Sequence, residues 1–412
     1  MGTRLLFKRG LFGVALALLP AACGLLAACS SPSATPVPSA TQLTLAPTAS
    51  ITLTPSITPT ATPLPPALPV VASPALAHID FQDASRGWGI AVNDKGYIVR
   101  TVDGGRTWLN ATPAGLDSLG SSAHLFVLDS QRVWALVPGR DFYSASLYRT
   151  TDGGLTWAFN PLPFGGADIQ FLDGSTGRAL ADRGAGAGSN AVGLYQTTDG
   201  GVTWTYVFHN DPAEPGASNS LPLEGIKNGL TFLNPDDGWV SGSLPVPGNI
   251  YLYASRDGGV SWSQQAIQPL SGDKDRLTMA HSPLFFGQVG IFPLTFYETD
   301  ATLLIFYVSQ DGGASWSMSP QAIPAGRYSF ADSTRGYSWD GGNTILITND
   351  SGRTWQTIST NLDLSSKLNQ IDFVPASKGS YTGWALTSLD ENNHSQLYMT
   401  KDNGATWLPL IP

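Results

Sequence analysis

Apolar positions along this chain fall in short runs that recur in a fixed order. Each round opens with a run centred on phenylalanine: Phe81, Phe126, Phe171, Phe232, Phe330 and Phe373, with Phe285 or Phe286 in the fifth round. About seven residues later a second run begins, often Gly-Trp or a relative, as in Gly87-Trp88, Val133-Trp134, Gly238-Trp239, Gly336-Tyr337 and Gly383-Trp384. A third run, such as Tyr97-Ile98-Val99-Arg100, leads into a polar phrase, and a fourth starts on the tryptophan that closes it. Runs this short, bounded by turn residues, predict β-strands, and four per round predict an antiparallel meander.

The polar phrase reads Ser/Thr-x-Asp-x-Gly-x-Thr/Ser-Trp and occurs seven times, at 101–108, 150–157, 197–204, 255–262, 309–316, 348–355 and 400–407. Repetition at such a period signals a solenoid, an array or a propeller. Seven units of four strands predict an all-β fold, a seven-bladed β-propeller over residues 75–412. The aspartates Asp103, Asp152, Asp199, Asp257, Asp311, Asp350 and Asp402 are expected to close a tight turn by accepting backbone amides two residues on. The second glycine is present in every copy: Gly105, Gly154, Gly201, Gly259, Gly313, Gly352 and Gly404. The residue before it can be Ser351 or Asn403, so the second position is expected to need positive φ outright. Trp108, Trp157, Trp204, Trp262, Trp316, Trp355 and Trp407 are expected to pack between sheets. The motif therefore reads as a folding device, not as calcium ligation, because no copy alternates carboxylates densely.

The first residues are of another kind. Arg4, Lys8 and Arg9 precede an apolar stretch at 11–26, the pattern of a secretory signal over residues 1–28. Leu26-Ala27-Ala28-Cys29 resembles the lipobox of bacterial lipoproteins, which implies lipidation at Cys29 and an extracytoplasmic protein anchored to a bacterial membrane. Residues 29–74 form the expected tether. From residue 30 on it holds eleven prolines and sixteen Ser/Thr with no charge, so it cannot bury a core and is expected to be disordered. Fully extended, it would reach roughly 140 Å.

Both cysteines, Cys23 and Cys29, lie before the tether, so the repeat region has no thiol chemistry. Loss of Arg4, Lys8 and Arg9 with the leader moves the net charge from −9 to −12, which argues against nucleic acid as a partner. The five histidines show no metal spacing, and no metal or cofactor is expected.

The two ends of such a ring differ. Long excursions at 182–190, 209–229, 264–281 and 388–395 all belong to the end opposite the Asp turns. Variable loops on a rigid scaffold are where binding usually resides. Three residues before each opening phenylalanine stand His78, Ala123, Asp168, Gly229, Arg327 and Gln370. The polar members, His78, Asp168, Arg327 and Gln370, are candidate binding residues at the axial mouth.

The phrase resembles the Asp-box, or bacterial neuraminidase repeat. The "Thr-x-Asp-Gly-Gly-x-Thr-Trp" wording and the Gly-Trp strands are most similar to the photosystem II assembly/stability factor family, and more distantly to sortilin and sialidase propellers. The resemblance implies a non-enzymatic factor assisting assembly of a membrane complex. It points to a monomeric scaffold that binds a protein or glycan on its loop-rich face. The alternative it leaves is a glycoside hydrolase, sialidase-like or other, acting on extracellular glycans. Against that alternative, the Arg-Ile-Pro signature is absent, and Arg100 and Arg106 flank the Asp turn at the wrong end. Asp168 with Asp273 or Asp275 is a conceivable carboxylate pair that nothing in the sequence brings together.

Overall fold

The computed structural model describes residues 67–92, 95–120, 122–139, 141, 143–269 and 276–410. The leader, Cys29 and nearly all of the tether lie outside them. The described chain is antiparallel β with two short 3-10 turns, Ser365–Lys367 and Ser377–Gly379.

The third repeat shows the plan. Strands Ala167–Phe171, Gly177–Gly186, Ser189–Thr197 and Thr205–His209 pair in sequence order as an up-and-down meander. Phe171 pairs with Gly177, and Gly177 with Thr197, so the first turn and the Asp turn lie at one end. The amide of Gly200 in the Asp turn donates to Ser175 O in the first turn at 2.7 Å, and equivalent bonds join Gly104 to Ser85 and Gly258 to Asp236. The other end carries the second-to-third hairpins and the crossings to the next repeat.

Why phenylalanine and Gly-Trp keep their spacing follows from one contact. A Cβ on Gly87, Gly177, Gly238, Gly336 or Gly383 would lie 2.3–2.6 Å from the opening phenylalanine ring of its own repeat. The ring lies flat over the space a side chain would need. In the fifth repeat the same relation joins Gly290 to Phe285, which identifies Phe285, not Phe286, as the equivalent residue.

Hydrogen bonding groups the strands into six sheets. Five hold one repeat each. The sixth, of ten strands, holds the fourth and fifth repeats, because the end of the 264–281 excursion becomes the strand Leu277–Ala280. That strand touches the fourth repeat at Ser243↔Met279 and pairs along the fifth from Leu277↔Tyr297 to Ala280↔Leu294. Within the large sheet, Ile226–Phe232 to Ser263–Gln264 and Leu284–Phe286 to Ser317–Met318 keep the same meander order.

The first repeat gains a strand. Val70–Val71 pairs with Trp108–Asn110 on its outer edge. The tether expected to run to residue 74 therefore gives way by residue 70 to a strand of the first repeat.

Apolar clusters lie between consecutive repeats, and one joins the last to the first. Phe81, Val99 and Trp108 pack with Val374, Trp384, Leu397 and Leu410. Trp384 stacks on Phe81 with centroids 3.6 Å apart and planes 3° from parallel. Tyr337 stacks likewise on Phe373, and Trp134 on Phe171. The second-strand aromatic of one repeat thus covers the opening phenylalanine of the next. Arg178 takes the aromatic's place in the third repeat, with its guanidinium 5.0 Å from the Phe232 centroid and Nη2 donating to Pro235 O at 2.7 Å.

The turn glycines also meet their neighbours. Gly313 has φ 78°, and a Cβ there would fall 2.4 Å from the buried Trp239 ring of the preceding repeat. Gly115 has φ 81° with nothing within 4 Å. Gly115→Ala should therefore cost only the left-handed penalty of about 1–2 kcal/mol. Gly313→Ala should cost roughly 1–3 kcal/mol more for the forced shift of a packed indole. Urea unfolding of both variants checks this; equal losses would show that the glycine serves backbone conformation alone.

Candidate functional site

The Asp turns consume their own polar groups. In the first repeat Thr101 Oγ1 donates to Asp103 Oδ1 and accepts from Gly105 N, while Thr107 N and Thr107 Oγ1 donate to Oδ1 and Oδ2 of the same carboxylate. The pattern recurs at Asp152, Asp199, Asp257, Asp311 and Asp350. The amides come from three and four residues on, not two, since the loop is wider than a single Asx-turn. Ser351 and Asn403 do adopt φ 67° and 63°, as left-handed stand-ins for glycine.

The same end is locked between repeats. Trp134 Nε1 donates to Gly200 O and Trp384 Nε1 to Gly104 O, both at 2.9 Å. Arg100 donates to Gly153 O, which places it in the scaffold and away from any mouth.

A second ring of polar locks joins the innermost strands. Gln170 Nε2 donates to Phe232 O at 2.8 Å, and its Oε1 accepts from Phe232 N at 2.6 Å. Thr231 Oγ1 donates to Pro283 O, Phe373 N donates to Ser329 Oγ, and Phe81 N donates to Asp372 Oδ2 at 2.7 Å. Gln370 belongs here: it accepts from Ile79 N and donates to Ile79 O at 2.6 Å.

At the loop-rich end the structure forms a cavity of about 390 Å³ against the second, third and fourth repeats. Asp141, Asp168 and Asp182 line it with His124, Asn190 and Lys227. Asp168 is thus at a concave surface. His78, Arg327 and Gln370 do not line this cavity. His78 sits half-buried at a bulge in Leu76–Phe81, and Arg327 is exposed at the start of Arg327–Phe330. Asp273 and Asp275 lie outside the described residues.

Lys227 is the part of the site that sequence reasoning missed. It is buried, and the three N–H groups of its Nζ are shared among four carbonyls, Asn190, Leu223, Glu224 and Gly225, at 2.6–3.0 Å. Burial pulls its pKa down to about 8, against the upward pull of the Glu224 carboxylate. This ammonium ties the 209–229 excursion to the third repeat. Asn210 completes the fastening: its side-chain amide donates to Leu221 O and Pro222 O, and its Oδ1 accepts from Val192 N. The excursion at 182–190 is an extension of the same repeat's hairpin, tipped by Ala187 and Gly188 with positive φ. The signal available in the sequence was one lysine beside an opening strand, which is weak without its partners.

Among the described residues, no three His, Cys, Asp or Glu side chains are grouped to hold a metal ion, and no helix is long and apolar enough to cross a membrane.

Sheets stacked in chain order, with the last packed on the first, define a β-propeller, and comparison with known proteins agrees. A family model described as sortilin, neurotensin receptor 3 (Sortilin-Vps10) matches residues 305–411. The solved structure of YCF48 from Cyanidioschyzon merolae superposes with a TM-score of 0.51 at 17% identity, over 78% of this chain and 96% of that one. A structure titled YCF48 bound to D1 peptide gives 0.46 at 17% identity, over 82% and 91%. A polysaccharide lyase of family PL25, an ulvan lyase bound to a GlcA-Rha3S glycan, gives 0.49 at 10% identity, over 83% and 96%. No curated protein matches the chain. The fold is therefore a β-propeller, similar in architecture to YCF48 from Cyanidioschyzon merolae.

The turn carboxylates also set an acid response. At Asp199 burial opposes ionisation, but hydrogen bonds from Thr203 and Thr197 outweigh it and bring the pKa to about 2. At Asp311 the Ser315 hydroxyl and amide lead, again to about 2. An unfolded aspartate titrates near 3.9. The contribution is therefore complete above pH ~4 and is lost as pH falls toward ~2. The Tm should fall across that window, and Asp311→Asn should show a shallower fall, read by circular dichroism melts at pH 2–5. A Tm slope unchanged by the substitution would detach the turn from acid stability.

Proposed function

We propose that the chain is a seven-bladed Asp-box propeller, lipid-anchored through Cys29 outside the cytoplasm, that works as a non-enzymatic binding scaffold. Its ligand is a protein segment bearing positive charge, a lysine, an arginine or a chain amino terminus, held in the cavity at the loop-rich end. The observation that carries this reading is the wall itself. Asp141, Asp168 and Asp182 line one concavity together with Lys227, whose ammonium bonds to backbone carbonyls. Three carboxylates against one ammonium among the described lining residues make this wall acidic, and electrostatic complementarity favours a cationic ligand. Polar groups placed by rigid strands and a fastened excursion suit selective binding. The seven-blade count rests on seven motif copies and on apolar clusters that link each repeat to the next. By analogy of fold alone, a role in assembling a membrane complex fits an anchored propeller of this kind.

One observation favours a second reading. Three carboxylates on one cavity also supply the residue type that glycoside hydrolysis uses, in pairs at a suitable separation.

Fluorescence anisotropy with the purified lipid-free chain separates the two. Short peptides rich in lysine should bind, acidic ones should not, and added salt should weaken binding. The Asp168→Asn, Asp182→Asn double variant should lose about tenfold or more in affinity while still unfolding in one cooperative melt. Cleavage of a β-glycan or sialoside panel, abolished by the same pair, would transfer the site to the enzyme reading. Binding without charge preference would remove the cationic ligand.

A further inference from the structure

Four backbone carbonyls converge on a single ammonium at the loop-rich end. Leu223, Glu224 and Gly225 are consecutive, and their oxygens lie 2.6, 3.0 and 3.0 Å from Lys227 Nζ, with Asn190 O also at 3.0 Å. Successive carbonyls can share one target only where the chain curls, and Gly225 supplies the curl with φ 81°. A Cβ on Gly225 would lie 2.8 Å from Tyr251 Cε2 and 2.9 Å from Ser243 O, so the turn is pressed onto the fourth repeat. The Tyr251 ring faces the ammonium from that side, its centroid 5.6 Å from Nζ.

Three parts of the chain meet on this one charge. Lys227 lies at the start of Ile226–Phe232 in the fourth repeat, residues 223–225 belong to the 209–229 excursion, and Asn190 stands on Ser189–Thr197 of the third repeat. Asn190 adds neutral bonds: its Oδ1 accepts from Lys227 N at 2.9 Å, and its own amide donates to Gly225 O at 3.2 Å. The ammonium adds something those bonds cannot. Carbonyl oxygens gathered this closely repel one another unless a cation lies among them, and rings of carbonyls replace the hydration shell of a monovalent ion in just this way. The four oxygens include no carboxylate, and 2.6–3.0 Å lies at or beyond the long end of the ~2.3–2.6 Å of calcium sites. The seat therefore suits an ion of the size and charge of ammonium or potassium.

We infer that Asn190 and the turn at 223–225 form a seat for a monovalent cation, filled in this chain by its own Lys227 ammonium, and that this charge keeps the 209–229 excursion closed against the third repeat. The seat acts as a latch. Without a cation the four carbonyls face one another, and the excursion then depends on Asn210 and on the partly exposed ion pairs of Arg183 with Asp211 and Glu214. Asn190 and Lys227 also line the carboxylate cavity, so the latch sets part of that wall. The inference does not depend on what the cavity binds.

Hydrogen exchange of the purified chain, read by mass spectrometry, tests the latch. Lys227→Met keeps a long side chain and removes its charge; residues 182–192 and 209–229 should exchange about tenfold faster or more, with 344–410 unchanged. Lys227→Ala should show the same loss, and ammonium or potassium chloride should reverse it. Tetramethylammonium chloride at equal ionic strength, whose cation is too large for the seat, should not. Exchange in Lys227→Met as slow as in the unsubstituted chain would overturn the role of charge. A Lys227→Ala chain that gains nothing from ammonium or potassium would overturn the cation seat. Should both variants fail to fold, the unsubstituted chain still decides. Nitrogen NMR of the isotope-labelled chain at pH ~6, where lysine is charged, should show one lysine ammonium whose protons exchange with water about tenfold slower than the rest or more. Lysine ammonium groups that all exchange alike would overturn the seat.

Discussion

Each repeat is completed by the one before it. The Asp turn, which looks self-contained in sequence, presses its second glycine against the preceding repeat so closely that no Cβ fits. Leu194 lies 2.1 Å from the position a Cβ on Gly259 would take, Leu147 2.4 Å from that on Gly201, and Ile345 2.8 Å from that on Gly404. The carboxylate keeps the turn in the shape that permits this approach. The preceding repeat's indole or arginine then bonds to the turn's carbonyls. Since the first repeat receives the same treatment from the last, through Leu397 against Gly105 and Trp384 against Gly104 O, the constraint has no free end.

Closure therefore needs no exchanged strand. The extra strand Val70–Val71 only extends the outer edge of the first repeat. Closure is made at two radii: stacked aromatics such as Phe81 on Trp384, and side chains of the innermost strands bonded to the next backbone. Gln170, Thr231, Ser329 and Asp372 satisfy groups that would otherwise be buried without partners, and such groups are costly to leave unmade. A mouth built on strands fixed this way is a rigid mounting for Asp168. The long 209–229 excursion is as firmly mounted, because its lysine and asparagine anchors are buried.

Much of this was legible in the sequence. Local chemistry carried it: the phenylalanine and Gly-Trp spacing, the repeated aspartate and the left-handed positions filled by Ser351 and Asn403 all depend on residues a few places apart. A second local signal went unread. Asp83, Asp129, Asp173 and Asp332 cap the first-to-second turns by accepting amides two and three residues on. What was illegible depends on meetings across repeats. Gln370 looked like a ligand group until Ile79 was found on its amide. The strand Leu277–Ala280 merges two repeats only because the neighbouring hairpins reach it. Lys227 acquires meaning only from the carbonyls gathered around it.

Native-state hydrogen exchange across the junction of the first and last repeats tests the closed interlock most directly. The amide of Phe81, bonded to Asp372, should exchange as slowly as that of Phe232, bonded to Gln170, and both should follow one global opening. Independent, faster opening of the strands from Leu368–Pro375 to Leu408–Leu410, with the other repeats still protected, would contradict it.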